Sequence, residues 1–451
     1  MLQRNPSNML LRRLLQLDRP VPSHTPETFN AEVERNYRWN FAVNLLDGAS
    51  FSFGSSFLSA ATIVPLFISK LTDSHYAIGL AATIAQGAWF LPQLLTANFV
   101  ERLPRKKPVV VNLGLFLERL PMALIVLAAI LAWRWPLLAL IVFLLAYAWH
   151  NLGAGVVATA WQDLISCCFP VQRRGRFLGS TLFLGSATGA VAAIFSAWVL
   201  DHLAFPANFL CAFLLAALFT GAISWFFLAL TREPVRPRTS PPNTHEQHIA
   251  ELIRILRHDL NYRRFLIARL TLALGAMGSG FLAVAAVQRW HLPDSVVGIY
   301  TAVFLAGQTI GNLVFGHLAD RTGHKISIEI AALMAAASFA TAWVAPSPAW
   351  FHLAFALAGG SMGAITVSGL LVVLEFCSPE RIPTYTGLTN TAIGLISVAA
   401  PLAGAALARH SYAWLFAASA AISLVAFLLL RCYVREPRHI PPPPMTALSK
   451  P

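Results

Sequence analysis

Charged residues are scarce in this chain of 451 amino acids. Asp, Glu, Lys and Arg make up 12% of the sequence and hydrophobic residues 57%, whereas ordinary soluble domains carry about 25% charged residues. A chain with so few polar residues cannot form a water-exposed surface, so we predict that it lies in a lipid bilayer. The net charge of +13 could suggest nucleic acid as a partner. The basic residues lie in short turns between apolar stretches, however, which favours membrane lipid and argues against nucleic acid.

Cysteine is also scarce, and its five copies show no CxxC or Cys/His spacing. We therefore predict no metal, no other cofactor and no disulfide framework. The sequence contains no GxxxxGK[ST] motif, no HExxH motif and no nucleophile–base pair, which argues against direct use of ATP and against an enzyme. The first 38 residues are polar and basic and lack the apolar core of a cleavable signal.

Apolar stretches of about 20 residues, the length that crosses a bilayer core as a helix, occur twelve times. Their approximate centres are Phe57, Gln86, Pro121, Tyr147, Gly189, Ala217, Met277, Ala306, Ala336, Gly363, Gly394 and Ala421. Backbone groups in lipid must be satisfied within their own segment, so we predict that each stretch is a helix.

The distribution of basic residues predicts the orientation of these helices. Of the 33 Lys and Arg residues, only four lie on one side of the predicted membrane and two within spans. The four are Lys70, Arg134, Arg289 and Arg409. The remaining basic residues lie on the other side, which the positive-inside rule identifies as cytoplasmic. We expect both termini and the central linker there, and the plasma membrane as the location.

The predicted spans divide the chain into five parts. These are a cytoplasmic lead at 1–38, a six-helix bundle at 39–231, a linker at 232–264, a second bundle at 265–434 and a Pro-rich tail at 435–451. In the lead, Leu10, Leu11, Leu14 and Leu15 share a helical face. That pattern fits a short interfacial helix and a disordered tail equally well. In the linker, Ile249, Leu252, Ile253, Leu256 and Leu260 share a face, which predicts an amphipathic helix on the inner membrane surface.

One charged turn, residues 316–325, reads GHLADRTGHK and joins two predicted helices. A degraded copy occupies residues 97–106. The matching residues, 219 positions apart, are Glu101 with Asp320 and Arg102 with Arg321. Since this offset is close to half the chain length, the pairing indicates a chain built from two similar halves.

These features resemble the major facilitator superfamily, over roughly residues 38–434. The signature of that family between helices two and three, often repeated between eight and nine, is Gly-x-x-x-Asp-Arg-x-Gly-Arg-Lys. Residues 316–325 match it except for His324, and the first copy departs from it at Ala97, Glu101 and Pro104. A further similar element is residues 170–179, which enter span five. The resemblance implies an all-α membrane protein with twelve transmembrane helices in two pseudo-symmetric six-helix bundles.

The resemblance also implies that the charged turns latch the cytoplasmic side when the site opens outward. The candidate gate residues are Gly316, Asp320, Arg321, Gly323, Lys325, Glu101 and Arg102. Asp320 is suited to face the positive N-terminus of another helix, whereas Arg321 and Lys325 fit a simple topology anchor at least as well. Gly316 would allow helices to approach closely, and Gly323 would supply a backbone geometry that other residues resist.

Ionisable and amide side chains inside spans are costly and therefore candidates for function. The candidates for substrate binding or proton coupling are Asp47, Gln86, Glu118, Arg119, His150, Gln308, Asn312 and Asn390. Glu118 lies about 15 Å along its span, near the midplane. Adjacent residues point about 100° apart on a helix, so we expect Glu118 and Arg119 not to serve one spot equally. We expect Asp47 to be a partner for Arg119. The sequence is about equally compatible with a functional role and with a purely structural role for these groups.

The second half is poorer in charge and offers mainly hydrogen-bonding groups. Arg269 is expected close to the cytoplasmic edge, where its side chain can snorkel to water. The sequence thus favours a secondary transporter that moves a small solute by alternating access, with protons coupled through Glu118 and Asp47. The alternative is a non-transporting membrane sensor or assembly factor with the same fold. A monomer suffices for either.

Overall fold

The computed structural model describes residues 6–20, 25–101, 103–170, 173–235, 254–377 and 382–437, and these form an all-helical protein. The helices of the first half are α1 (Pro6–Leu14), α2 (Pro26–Ser56), α3 (Ile63–Leu71), α4 (His75–Glu101), α5 (Val109–Leu131), α6 (Pro136–Cys168), α7 (Arg174–His202) and α8 (Ala207–Ala229). Those of the second half are α9 (Leu260–Trp290), α10 (Ser295–Thr322), α11 (His324–Val344), α12 (Ala349–Leu374), α13 (Ile382–His410) and α14 (Tyr412–Tyr433).

Ten of the helices in the described residues, α5 to α14, are long and apolar enough to cross a membrane. They coincide with predicted spans three to twelve, and the all-α membrane fold class is confirmed. The second predicted span corresponds to α4. The first, centred on Phe57, is not one continuous helix, because α2 ends at Ser56 and α3 begins at Ile63.

The start of α2 also differs from the predicted beginning of the first bundle at residue 39. The helix begins at Pro26, where the fixed φ of proline suits the first helical position. The Thr25 hydroxyl accepts a hydrogen bond from the Thr28 amide and caps the helix. The last part of the predicted lead is therefore helical.

Contacts within the chain define two compact units. The first comprises Met1–Leu58 and Ala88–Pro241, and the second Ser59–Gly87 and Pro242–Pro451. In the first unit α2 packs along α7 and α5 packs along α6, whereas in the second α12 packs between α10 and α11. The proposed bundle limits, 39–231 and 265–434, remain predictions, since residues 59–87 pack with the second half of the chain.

The predicted lead contains a short helix that packs onto the first unit. Leu15, directly after α1, is only 3% exposed and lies in an apolar cluster with the start of α5. The Asn112 side-chain amide donates a 2.7 Å hydrogen bond to the Leu14 carbonyl, and Arg105 Nη2 donates one of 2.7 Å to the Pro20 carbonyl. Residues 6–20 are therefore an ordered part of this unit.

The linker helix differs from its predicted face. Residues 249–253 lie outside the described part, and residues 254–258 are helical. Ile255, which was not on the predicted face, is 1% exposed, whereas Leu260, which was, is 50% exposed. The set of residues that face inward changes at Asp259 because this residue interrupts the helix. Its carboxylate accepts a hydrogen bond from the Tyr262 amide and caps the start of α9.

Candidate functional site

A buried polar face of α2 runs through the first unit. Asn40, Asn44 and Asp47 are all at most 6% exposed. The Asn40 side chain donates to the Arg232 carbonyl and accepts from the Arg232 amide, both at 2.9 Å. The Thr231 hydroxyl donates to Asn44 Oδ1 at 3.3 Å. The two asparagines therefore fasten α2 to the segment that follows α8, and Asp47 lies at the inner end of the polar face.

Asp47 is held by α8. The Ser224 hydroxyl donates a 2.6 Å hydrogen bond to Asp47 Oδ1. Both Arg119 and Glu118 lie close enough to act electrostatically on this carboxylate. Asp47 and Arg119 thus belong to one buried group, and the direct hydrogen bond to Asp47 comes from a serine.

Glu118 and Arg119 lie on a π-helical turn of α5, Leu115–Arg119. Arg119 Nη2 lies 3.5 Å from Glu118 Oε2, and both side chains are almost fully buried. These neighbouring side chains therefore contact each other, and whether they serve different parts of a site stays a prediction. A π-helical turn is wider than an α-helical one, so successive side chains diverge less around the axis and these two long side chains meet.

Arg119 also joins α5 to α8 and α2. Its Nη1 donates a 2.6 Å hydrogen bond to the Thr220 carbonyl, and its guanidinium carbon lies 5.3 Å from the centre of the Phe51 ring. The Thr220 carbonyl belongs to a second π-helical stretch, Ala217–Ile223. A wider turn displaces backbone groups from their usual partners, which lets a carbonyl accept from a side chain. Arg119 Nε is buried without a hydrogen-bond partner among the described residues.

His150 supports the π-helical turn rather than the carboxylate. Its Nδ1 lies 2.7 Å from the backbone carbonyl of Glu118. Three residues along α6, Gly153 lies directly against the carbonyl of Leu117, with no room for a Cβ. The two α6 residues therefore fix the backbone that carries Glu118 and Arg119.

The assembled cluster has chemistry that a purely apolar bundle lacks. It places two carboxylates, Asp47 and Glu118, around one guanidinium, Arg119, where they are shielded from water. A single buried cation cannot fully compensate two carboxylates, so the uptake of one proton brings the cluster to neutrality. Ionisable groups inside a membrane helix bundle are costly and are therefore candidates for function.

Ser224 and Thr220 were missed at the sequence level. Both are small hydroxyl residues, at positions where such side chains commonly hydrogen-bond within membrane bundles. Their spacing of four residues on one helical face was a usable signal. This spacing alone does not assign a role to either residue, because the role depends on the packing of α8 beside Asp47.

The other sequence candidates are separate from this cluster. Gln308 and Asn312 lie on α10, Asn390 on α13 and Gln86 on α4, and all four side chains are partly buried. Asn312 stands out because its amide nitrogen and oxygen are both buried without a hydrogen-bond partner among the described residues. A buried amide without partners costs free energy, and a ligand or water at Asn312 would offset that cost.

Arg269 was expected to snorkel to water, and this expectation was wrong. It is 7% exposed, and its Nε has no hydrogen-bond partner in the described residues. Nine residues separate it from the start of α9, about 14 Å along the helix, which is too far for its side chain to reach the helix end. Its Nη2 lies beside Gly369 of α12, where the absence of a side chain leaves space for the guanidinium.

The gate motif of the second unit forms the turn between α10 and α11. Gly323 has a φ of +100° and lies against the side chain of Glu436, so the backbone and the space both favour glycine. Lys325 is buried and its Nζ contacts Glu329 Oε1 at 2.7 Å. Glu329 Oε2 is 3.7 Å from Arg431 Nη1 on α14. Lys325 therefore belongs to an ion-pair network with the buried Glu329 and the exposed Arg431.

The remaining gate residues are packed less closely or lie outside the described part of the chain. Gly316 lies 3.7 Å, measured from an ideal Cβ position, from the Val367 side chain, and Arg321 is exposed. The side chains of Asp320 and Glu101, and all of Arg102, lie outside the described part of the chain. The latch role proposed for these residues stays a prediction.

Fold and site together define a class: an all-helical, multi-pass membrane protein with a buried charge cluster. Residues 265–449 match the family model described as Major Facilitator Superfamily. A crystal structure of a variant of the nucleoside transporter NupG superposes with a TM-score of 0.66 at 13% identity, covering 87% of this chain and 99% of that one. The second half of the chain is thus similar to the Major Facilitator Superfamily, and the chain has the fold of a solved transporter.

Curated relatives match shorter parts of the chain. The steroid transmembrane transporter SLC22A24 of Equus caballus is 31% identical over 106 residues, which cover 23% of this chain and 19% of that protein. The efflux pump hmp6 of Hypomyces subiculosus is 34% identical over 122 residues, 27% of this chain and 22% of that pump. The matched segments thus span about a fifth of the relatives' length.

Proposed function

We propose that this protein is a secondary transporter that moves a small solute across the membrane by alternating access, coupled to protons. Transport is the activity named for the relatives, and the fold is that of a solved transporter. Secondary transporters typically bind their solute near the midplane of the membrane. We further propose the plasma membrane as the location, and the asymmetry of the basic residues supports cytoplasmic termini.

The observation that carries the coupling proposal is the buried cluster of Asp47, Glu118 and Arg119. The guanidinium lies 3.5 Å from Glu118 and is close enough to Asp47 to act on it electrostatically. When Arg119 or the solute moves, the balance between two carboxylates and one cation changes and a proton is taken up or released. Proton transfer and substrate movement are thereby linked through one set of charges.

The first experiment identifies a substrate. The purified protein is screened by ligand-dependent thermal shift against steroids, nucleosides and small organic anions, chemistries that include those named for the relatives. A compound that stabilises the protein is then offered to proteoliposomes under a proton gradient. A sensor or assembly factor would bind the compound without moving it, so the uptake measurement separates the two functions.

The second experiment tests coupling. One pH unit corresponds to about 1.4 kcal/mol per proton, enough for about tenfold accumulation at one proton per solute. We expect Glu118→Gln to lose this accumulation while retaining exchange of labelled for unlabelled solute. The exposed Glu34→Gln variant is the matched control. Undiminished gradient-driven accumulation by Glu118→Gln and by Asp47→Asn would refute the coupling assignment.

A further inference from the structure

A cavity of about 600 Å³ opens in the first unit, where α5 begins and α8 ends. It is enclosed on one side by the residues that follow α1. Its lining consists of Gln16, Arg19, Trp39, Arg105, Lys107, Pro108, Val111, Asn112, Ala229, Leu230, Thr231, Arg232 and Glu233. Since α5 and α8 are both candidate membrane spans, the cavity lies at a membrane boundary, on the side that the basic residues predict to be cytoplasmic.

The cavity lining carries an excess of positive charge. Four of its side chains are cationic: Arg19, Arg105, Lys107 and Arg232. The single carboxylate, Glu233, receives hydrogen bonds from the backbone amides of Lys106 at 2.6 Å and Lys107 at 3.0 Å. Both of its oxygens are thus used to cap the start of α5, and three positive charges remain without a compensating anion in the lining.

Two of these cations are short of partners. Lys107 Nζ makes no hydrogen bond or salt bridge with the described residues, and burial lowers the pKa of this lysine below its ordinary value. Arg105 Nη2 is bound to the Pro20 carbonyl, but its buried Nη1 has no hydrogen-bond partner in the described part of the chain. Glu233 acts electrostatically on both cations, but one carboxylate cannot balance several partly desolvated cations, and a bound anion would offset the remaining cost.

The rest of the lining suits a ligand with a polar head and a less polar body. Trp39, Pro108, Val111 and Leu230 supply apolar surface, and the Arg232 guanidinium lies over the Trp39 ring at 4.8 Å. The cavity volume falls within the range of small-molecule sites, roughly 300–1,000 Å³. It is larger than one small inorganic anion needs and sufficient for a phosphate ester with its alcohol portion.

We propose that this cavity binds a phosphate-bearing anion, either the headgroup of an anionic phospholipid or a soluble phosphate ester. Arginine and lysine together are the side chains that proteins use for phosphate oxygens. Basic pockets at the cytoplasmic end of membrane helices are suited to acidic headgroups. The bound anion would also join the lead, through Arg19, to α5, through Lys107, and to the end of α8, through Arg232.

The test measures the binding of defined phosphates to the full-length protein in detergent micelles. One arm adds phosphatidylglycerol, with phosphatidylcholine as the neutral comparison, and a second arm adds glycerol 1-phosphate or inorganic phosphate. Binding is followed by native mass spectrometry and by thermal shift. Preference for phosphatidylglycerol over phosphatidylcholine would identify the headgroup as ligand, and a response to glycerol 1-phosphate would identify a soluble ester.

Variants connect the binding to the cavity. Each basic residue near a membrane surface contributes about fivefold to affinity for anionic lipid, so Arg19→Gln with Lys107→Gln should weaken binding about 30-fold. Arg35→Gln, an exposed charge outside the cavity, should change it less than twofold. Arg19→Gln alone changes an exposed position, so weaker binding by this single variant cannot be due to a folding defect of the double variant. The proposal is overturned if no phosphate binds, or if Arg35→Gln weakens binding as much as the cavity variants do.

Discussion

A close backbone contact at Gly153 controls where the charged residues of α5 lie. The glycine permits α6 to touch the Leu117 carbonyl directly, and His150 bonds the next carbonyl at 2.7 Å. Any side chain at position 153 would push α5 away and lengthen the His150 contact. The positions of Glu118 and Arg119 therefore depend on a residue that carries no chemistry itself.

Gly153→Ala should destabilise the protein by about 1–3 kcal/mol, because the added methyl group overlaps backbone atoms that cannot rotate away. Gly179→Ala on α7 is the control, since an ideal Cβ there has no neighbour within 4 Å. In a helix this control substitution should be neutral or stabilising. Thermal unfolding of both variants in the same detergent gives the comparison, and equal melting temperatures would contradict the role assigned to Gly153.

At the scale of elements, two widened helical stretches create the site. The π-helical turns of α5 and α8 bring the Glu118–Arg119 pair and the Thr220 carbonyl together. Hydrophobic patterning located α5 to α14 correctly, because about 20 apolar residues in lipid have few alternatives to a helix. It could not reveal a π-helical turn, since the extra residue per turn leaves no mark in an almost uniformly apolar stretch. Hydrophobic patterning also did not predict the burial of Arg269 or the helix interruption at Asp259, because both depend on neighbouring helices.

The turn between α10 and α11 is stabilised by an ion-pair network that also reaches α14. Lys325→Met should lower the free energy of unfolding by about 3–5 kcal/mol, because it leaves the Glu329 carboxylate buried without its 2.7 Å partner. Replacing both residues, with Lys325→Met and Glu329→Met together, should cost much less. Denaturant unfolding in micelles gives the double-mutant cycle, with exposed Arg321→Gln as the control. Additive single effects would show that the pair is not coupled.

At the scale of the whole molecule, residues 59–87 connect the two halves of the sequence. They precede α5, yet they pack in the second unit. The Thr62 and Thr301 hydroxyls are 2.6 Å apart, Lys70 Nζ lies 2.8 Å from Asp294 Oδ1, and the Thr83 hydroxyl donates to the Val398 carbonyl at 3.0 Å. If residues 59–87 move with the first half of the sequence during alternating access, these contacts break each time the site opens to the side opposite the basic turns.

The Lys70–Asp294 pair gives that requirement a direct test. The pair is partly exposed, so its contribution is about 0–1 kcal/mol, and its loss should increase the open population up to about fivefold. The reporter is Ala82→Cys in a cysteine-free background, since Ala82 is buried on α4 beside Gly280. Lys70→Asp should accelerate its labelling by a membrane-impermeant thiol reagent, and Lys70→Asp with Asp294→Lys should restore the slow rate.

Arg134→Asp, which reverses an exposed charge on the same predicted side, should leave the rate unchanged. If the charge swap does not restore slow labelling, the ion pair does not hold these helices together, and the contact that closes this side must be sought at Thr62 and Thr301.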